Sequence, residues 1–170
     1  PYLLYCGRIE ANKNCNELFE YFIKFKRDFP SPLRLILTGK KEMQVPDHLD
    51  IEFLGFVPTE KKFSLMSGAS ILLVPSAFES LSMVTLEAMG QKTPVLVDAR
   101  SEVLRSHVKQ SGAGRIYEGY QSFANELTEM LKDQKTLSEM GARGREYVVS
   151  RYQRELIKES LIAAIDQFEP

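Results

Sequence analysis

The chain has little of several things, and each shortage narrows its function. Only two cysteines, Cys6 and Cys15, stand in 170 residues, and their spacing suits no metal site. They support no disulfide framework and argue for a reducing compartment, so the expected location is cytoplasmic. Only two histidines are present, His48 in a polar stretch and His107 in a charge-rich one. Neither belongs to a nucleophile–histidine–carboxylate pattern, and both are expected at the surface. There is no Asp-x-Asp and no His/Cys cluster, so neither a catalytic metal nor a metal cofactor is expected. There is no GxGxxG after a strand and no Walker motif. Ser80 lacks the glycine-flanked elbow of a hydrolase nucleophile. No apolar run is long enough to cross a bilayer, and no leader-like segment is expected. Charge of neither sign dominates: 22 Lys and Arg face 23 Asp and Glu, for a net −1. That balance excludes a dedicated nucleic-acid binder.

What is present fits one α/β domain over residues 1–170. The apolar fraction is 44% and the charged fraction 26%, ordinary for a globular chain of a size that buries a sizeable core. Strands are expected at Tyr2–Cys6, Leu33–Leu37, Ile51–Leu54, Ser70–Val74, Pro94–Val97 and Arg115–Tyr117. Helices alternate with them. The first is expected to be capped by Asn14 with Glu17 three residues on, another by Thr59, and a short one spans Glu102–Val108. Three more close the chain, near Ser122–Lys132, Lys135–Ser150 and Gln153–Gln167. Short apolar strands alternating with helices predict a Rossmann-like, doubly wound parallel sheet. Because the chain opens directly on a strand, it is expected to be a piece of a longer polypeptide.

The most informative stretch runs from Pro75 to Met89. It follows the apolar run Ile71–Val74 and ends in strong helix formers. Ser76, Ser80 and Ser82 are each suited to cap that helix. A helix N-terminus at the carboxyl end of a parallel strand offers N–H groups and a positive dipole to phosphate. Glu79 is explained by that dipole alone. Glu87, deeper in an apolar helix, is a natural bidentate acceptor for adjacent hydroxyls. The loop after the first strand adds Gly7 for a tight turn, Arg8 as a phosphate fork and Lys13 as a mobile cation. The simplest reading of that loop is a surface turn with two solvated cations. The pair Lys61-Lys62 and the connection Asp98–Glu102 are likewise expected to be solvated.

In order, Gly7-Arg8 with Lys13-Asn14, Leu54-Gly55-Phe56-Val57, Val74-Pro75-Ser76, Glu79 and Glu87 with Leu86-Glu87-Ala88-Met89, and Thr93-Pro94-Val95 form a series. It resembles the C-terminal, donor-binding domain of family-4 retaining glycosyltransferases of the GT-B fold, along essentially the whole chain. The resemblance implies a nucleotide-diphosphate sugar as substrate and an N-terminal acceptor-binding domain elsewhere in the polypeptide. It assigns catalytic roles to Arg8, Lys13 and Glu79. It assigns donor binding to Gly7, Arg8, Lys13, Phe56, Ser80, Leu81, Ser82, Met83, Val84 and Glu87. Arg8 and Lys13 would hold the diphosphate and stabilise the leaving group in place of a metal. Glu87 would hold the ribose, Glu79 would lie near the sugar, and the base would sit at the Gly55–Pro58 turn. Peripheral membrane contact, at the inner face, would come through the other domain. Two departures stand out: Ser82 where the family usually has glycine, and Ala99-Arg100 where it commonly has a Gly-Gly pair. They leave open a second reading, a non-catalytic nucleotide- or anion-binding module. A receiver-like signalling domain is a third, but Gly7-Arg8 has the wrong charge for it.

Overall fold

Six strands with almost no exposed residue on either face set the architecture. In the computed structural model, which describes residues 1–153 together with 157, 158, 162 and 165, these are β1 (Tyr2–Cys6), β2 (Arg34–Thr38), β3 (Ile51–Phe53), β4 (Ile71–Val74), β5 (Val95–Asp98) and β6 (Gly114–Tyr117). All pair in parallel, in the order β3-β2-β1-β4-β5-β6. Every residue of β4 and β5 is buried, as continuous apolar runs demand when helices cover both faces. The helices are α1 (Cys15–Asp28), α2 (Thr59–Gly68), α3 (Met83–Gly90), α4 (Glu102–Ser111), α5 (Gly119–Lys132) and α6 (Gln134–Arg151).

Strand alternation sorts the core into two layers. Leu3, Tyr5, Leu35, Leu37, Ile71 and Leu73 point to one face, against Phe19, Phe22 and Phe25 of α1 and Phe123 and Leu127 of α5. Leu4, Cys6, Leu72, Val74, Val95 and Val97 point to the other, against Met66 of α2, Leu86 and Met89 of α3 and Leu104 of α4. α6 contributes Leu137 and Met140 to the first layer and Tyr147 to the second. A Cβ on Gly141 would come 2.1 Å from the Lys92 carbonyl oxygen. α6 therefore crosses the end of α3 closer than any side chain would permit.

The expected doubly wound parallel sheet is present, with differences at the ends of elements. β3 ends at Phe53, α4 runs on to Ser111, and α2 takes Pro58 rather than Thr59 at its N-cap position. The cap of α1 is not the expected box. Asn14 occupies the N-cap position but adopts a left-handed φ of 55°, and its side chain makes no cap bond. The third expected closing helix, Gln153–Gln167, falls mostly outside the described residues.

The sheet's carboxyl edge is pulled tight where β1 and β2 end. Gly7 extends the ladder, its N–H donating to the Thr38 carbonyl at 2.9 Å. Gly39 then turns with φ 135°, and a Cβ there would lie 1.9 Å from the Gly7 carbonyl oxygen. That oxygen belongs to the backbone and cannot swing aside. Gly39→Ala is expected to cost about 2–4 kcal/mol, the sum of an unfavourable φ and parted strand ends. For a chain of this size that lowers Tm by roughly 5–15 °C, measurable by circular dichroism. A variant melting with the wild type would mean the two strand ends are not in contact.

Candidate functional site

The strand order reverses direction between β1 and β4. Their following loops leave towards opposite faces, and a crevice opens at the carboxyl edge where they part. Side chains tie the two loops back together across it. Lys13 Nζ donates to Glu79 Oε1 at 2.7 Å, and Asn14 Nδ2 donates to the Pro75 carbonyl at 2.8 Å. The loop after β1 is held from below as well. Tyr5 Oη donates to the Arg8 carbonyl at 2.6 Å, and Ile9, fully buried, bridges to Lys41.

Three hollows follow one another along this edge. The first, about 430 Å3, is lined by Arg8, Gly39, Phe56, Lys62, Met83 and Glu87, among others. The second, about 220 Å3, shares Gly7, Met83 and Val84 with it and adds Lys13, Glu79 and Ser82. The third, about 570 Å3, shares Glu79 with the second and continues past Phe78 and Ser80 to Arg100 and Glu102. Gly7, Arg8, Lys13, Phe56, Glu79, Ser80, Ser82, Met83, Val84 and Glu87 are thus brought to one continuous cleft. Leu81 is not among the residues lining it. Phe56 stands at its mouth, 86% exposed.

The N-terminus of α3 faces the first two hollows. Of the three serines suited to cap it, only Ser82 holds the N-cap position. It does so with φ 57°, and its hydroxyl accepts no backbone N–H. It bonds the Thr85 hydroxyl at 2.8 Å instead, while Ser76 Oγ donates to the Phe78 carbonyl at 3.1 Å. Among the described residues no group accepts from the N–H of Met83 or Val84. These donors, with the dipole behind them, suit an anion. A serine in the left-handed region carries a strain of about 1–2 kcal/mol that glycine avoids.

Every charge lining the first two hollows has a partner, and Lys40 finds its own outside them, in Glu42. Glu87 Oε1 accepts from Lys62 Nζ at 2.7 Å, with both side chains 26% exposed. Arg8, 61% exposed, reaches Glu10 at 3.2 Å. Beneath them Cys6 is buried, and that burial pushes its thiol up to about 12, against a smaller pull from Lys62. Cys15, buried under Tyr5, is raised for the same reason. Among the described residues no group of three His, Cys, Asp or Glu side chains is arranged to hold a metal ion.

Four expectations need correction. Lys62 is not solvated surface. It lies four residues before fully buried Met66 on the inward side of α2, a spacing that marks it in the sequence. The Asp98–Glu102 connection is solvated only in part: Arg100 and Glu102 are exposed, but Asp98 and Ser101 are each 2% exposed. Asp98 accepts from Arg100 Nε at 2.9 Å, Ser101 caps α4 by accepting from Leu104 N, and Arg100 also reaches Glu17 of α1. Glu17 is therefore engaged by Arg100 and not in a capping box. Finally, His107 is 5% exposed, not at the surface. It shares the inward face of α4 with Leu104, Val108 and Ser111, a helical spacing visible in the sequence. Its ring bonds Tyr147 Oη and the Leu81 carbonyl, both at 2.9 Å.

Both thiols should be inert in the folded chain. A thiol raised by burial stays protonated at pH 8, and the thiolate is the reactive form. With an aromatic disulfide reagent at pH 8, thiol release is expected to be at least about 100-fold slower from the native chain than from the chain in guanidinium. Two equivalents should appear after denaturation, matching the two cysteines. Rapid release of one equivalent from native protein would contradict the burial of Cys6 and Cys15.

The comparisons with known proteins agree on the family. The model described as "Glycosyl transferases group 1" matches residues 1–147. The D-inositol 3-phosphate glycosyltransferase of Nocardia farcinica is 28% identical over 160 residues, covering 84% of this chain and 35% of that protein. A sucrose-phosphate synthase from Thermosynechococcus elongatus superposes with a TM-score of 0.81 at 24% identity, over 98% of this chain and 45% of the other. The Anabaena protein HepE, solved in complex with UDP and glucose, superposes with a TM-score of 0.82 at 16% identity, over 98% and 48%. At these identities the structural likenesses speak for the fold. The chain spans about a third of the length of the curated relatives it matches. With the family model matching most of its length, the chain belongs to the group 1 glycosyl transferases.

Proposed function

We propose that this chain is the donor-binding part of a retaining glycosyltransferase, taking a nucleotide-diphosphate sugar at the β1/β4 crevice. One observation carries the reading. Two carboxylates for hydroxyls, two cations for phosphate and the free N–H groups of α3 converge on a single cleft. The diphosphate lies against the α3 N-terminus, held by the backbone of Ser82 and Met83 and by Arg8 and Lys13. Glu87 accepts from the ribose hydroxyls, Phe56 flanks the base at the cleft mouth, and Glu79 faces the sugar beside Ser80. As the glycosidic bond breaks, negative charge grows on the leaving diphosphate. Fixed dipoles and the two cations stabilise it there, which is the service a metal gives in other enzymes. The ligands named for the Anabaena structure, UDP and glucose, support a donor of this class.

The acceptor binds a second domain of the same polypeptide, N-terminal to this one, and residues 1–170 form the donor domain. Among the described residues no helix is long and apolar enough to cross a membrane. We assign the protein to the cytoplasm, with any contact to the inner face of a membrane made through the acceptor domain.

Calorimetric titration with UDP, GDP, ADP and their sugars tests the reading. One nucleotide class is expected to bind, with its sugar form tighter than the bare nucleotide. Glu87→Ala and Arg8→Ala are each expected to weaken it about tenfold or more, the worth of one lost charged hydrogen bond. Equal binding of every nucleotide and of inorganic triphosphate would replace the donor site with a general anion site. The chain alone is expected to transfer no sugar to any acceptor, and detectable turnover would remove the need for a second domain.

A further inference from the structure

His107 and Leu81 are 26 residues apart in sequence, yet the imidazole Nε2 lies 2.9 Å from the Leu81 carbonyl oxygen. A carbonyl only accepts, so Nε2 carries the hydrogen. In the neutral ring Nδ1 is then an acceptor, and Tyr147 Oη, 2.9 Å away, donates to it. The Tyr147 hydroxyl is able to do so at any physiological pH, because burial raises it to about 12. Tyr147 and Tyr152 also meet the imidazole edge-on, with ring centroids 5.9 and 6.3 Å away. The ring is therefore held in position by groups from α6 and the residue after it, and its tautomer is set by the Leu81 carbonyl.

The Leu81 carbonyl is one end of the Leu81–Ser82 peptide unit. No cis peptide bond occurs among the described residues, so the carbonyl of Leu81 and the N–H of Ser82 point in opposite directions. Drawing the carbonyl towards α4 turns the N–H away from α4, and Ser82 itself lines the hollow shared with Lys13, Glu79 and Met83. Ser82 itself sits at φ 57°, a conformation a residue with a Cβ leaves unless its surroundings hold it. Below, its hydroxyl is held by Thr85. Above, the imidazole is what holds the peptide.

We infer that His107 is a positioning residue of the donor site. By gripping the Leu81 carbonyl it fixes the peptide that precedes α3, and so aims the Ser82 N–H and the first N–H groups of the helix at a diphosphate. This rests on the donor-site reading for the identity of the ligand, but the grip itself does not.

The test uses the isotope-labelled 170-residue chain as wild type, His107→Leu, His107→Gln and Tyr147→Phe. Leucine removes both hydrogen bonds, while glutamine keeps an amide N–H near the position of Nε2. Two quantities are read: the Ser82 and Met83 amide resonances without ligand, and the affinities for UDP, GDP and ADP. In His107→Leu the two amides are expected to shift or broaden, and affinity for the bound nucleotide to fall about tenfold. His107→Gln is expected to restore both most of the way. If leucine at 107 prevents folding, Tyr147→Phe unpins the ring alone and should disturb the same amides, with a loss of about threefold. Wild-type amides and affinity in His107→Leu would overturn the inference, or in Tyr147→Phe where leucine prevents folding. So would a folded His107→Gln as impaired as the leucine variant. Wild-type protein binding none of the three nucleotides would defeat the donor-site reading. The amide comparison would still decide whether His107 holds the loop.

Discussion

The cleft opens where the topology sends two loops apart, and its shape depends on Lys13 and Asn14, which tie those loops together across it. β1 and β4 are sheet neighbours, but the loops after them diverge at the point where strand order reverses. Lys13 reaches across 66 residues of sequence to Glu79, and Asn14 across 61 to the Pro75 carbonyl. The Lys13–Glu79 pair is only partly shielded, with side chains 28% and 13% exposed, so its net contribution to stability is on the order of 1 kcal/mol or less. Its importance is positional. It fixes where the second hollow begins and sets a cation beside the α3 N-terminus, where a lysine without a carboxylate or phosphate partner would be repelled by the dipole. Asn14 gives up its expected capping role for the same purpose. Its left-handed backbone turns the side chain out of the helix and onto the neighbouring loop.

Most of the architecture was legible because its signals are local. Continuous apolar runs such as Ile71–Val74 mark strands buried on both faces, and a parallel sheet then brings every strand's carboxyl end to one edge. Once that edge is known, residues scattered from Gly7 to Glu87 must meet there, without any knowledge of their contacts. What could not be read was which side chain meets which. Arg100 pairs with Glu17 across 83 residues, and nothing near either one announces the other. Lys62 lay hidden for a different reason. Its neighbour Lys61 points to a solvated pair, whereas its spacing from buried Met66 places it inward. The charges beside His107 in sequence point to the surface, whereas Leu104 and Val108, which share its helical face, point inward.

Ser82 and Arg100, which differ from the pattern that the resemblance implies, are each absorbed by their neighbours. Serine at a left-handed position is strained by about 1–2 kcal/mol relative to glycine. A hydrogen bond is worth roughly 1 kcal/mol, so the contacts to Thr85 and to the Leu81 carbonyl next door are of the right size to offset it. Arg100 brings a charge to the rim, and Asp98, 2% exposed, receives it. A carboxylate that deeply buried is costly without a partner, by several kcal/mol, and an arginine two residues on supplies one. Each departure is therefore one member of a set: Ser82 with Thr85 and His107, Arg100 with Asp98 and Glu17. Exchanging Arg100 alone for glycine would leave Asp98 buried and unpaired. The set, not the single residue, is the unit from which this edge of the sheet is built.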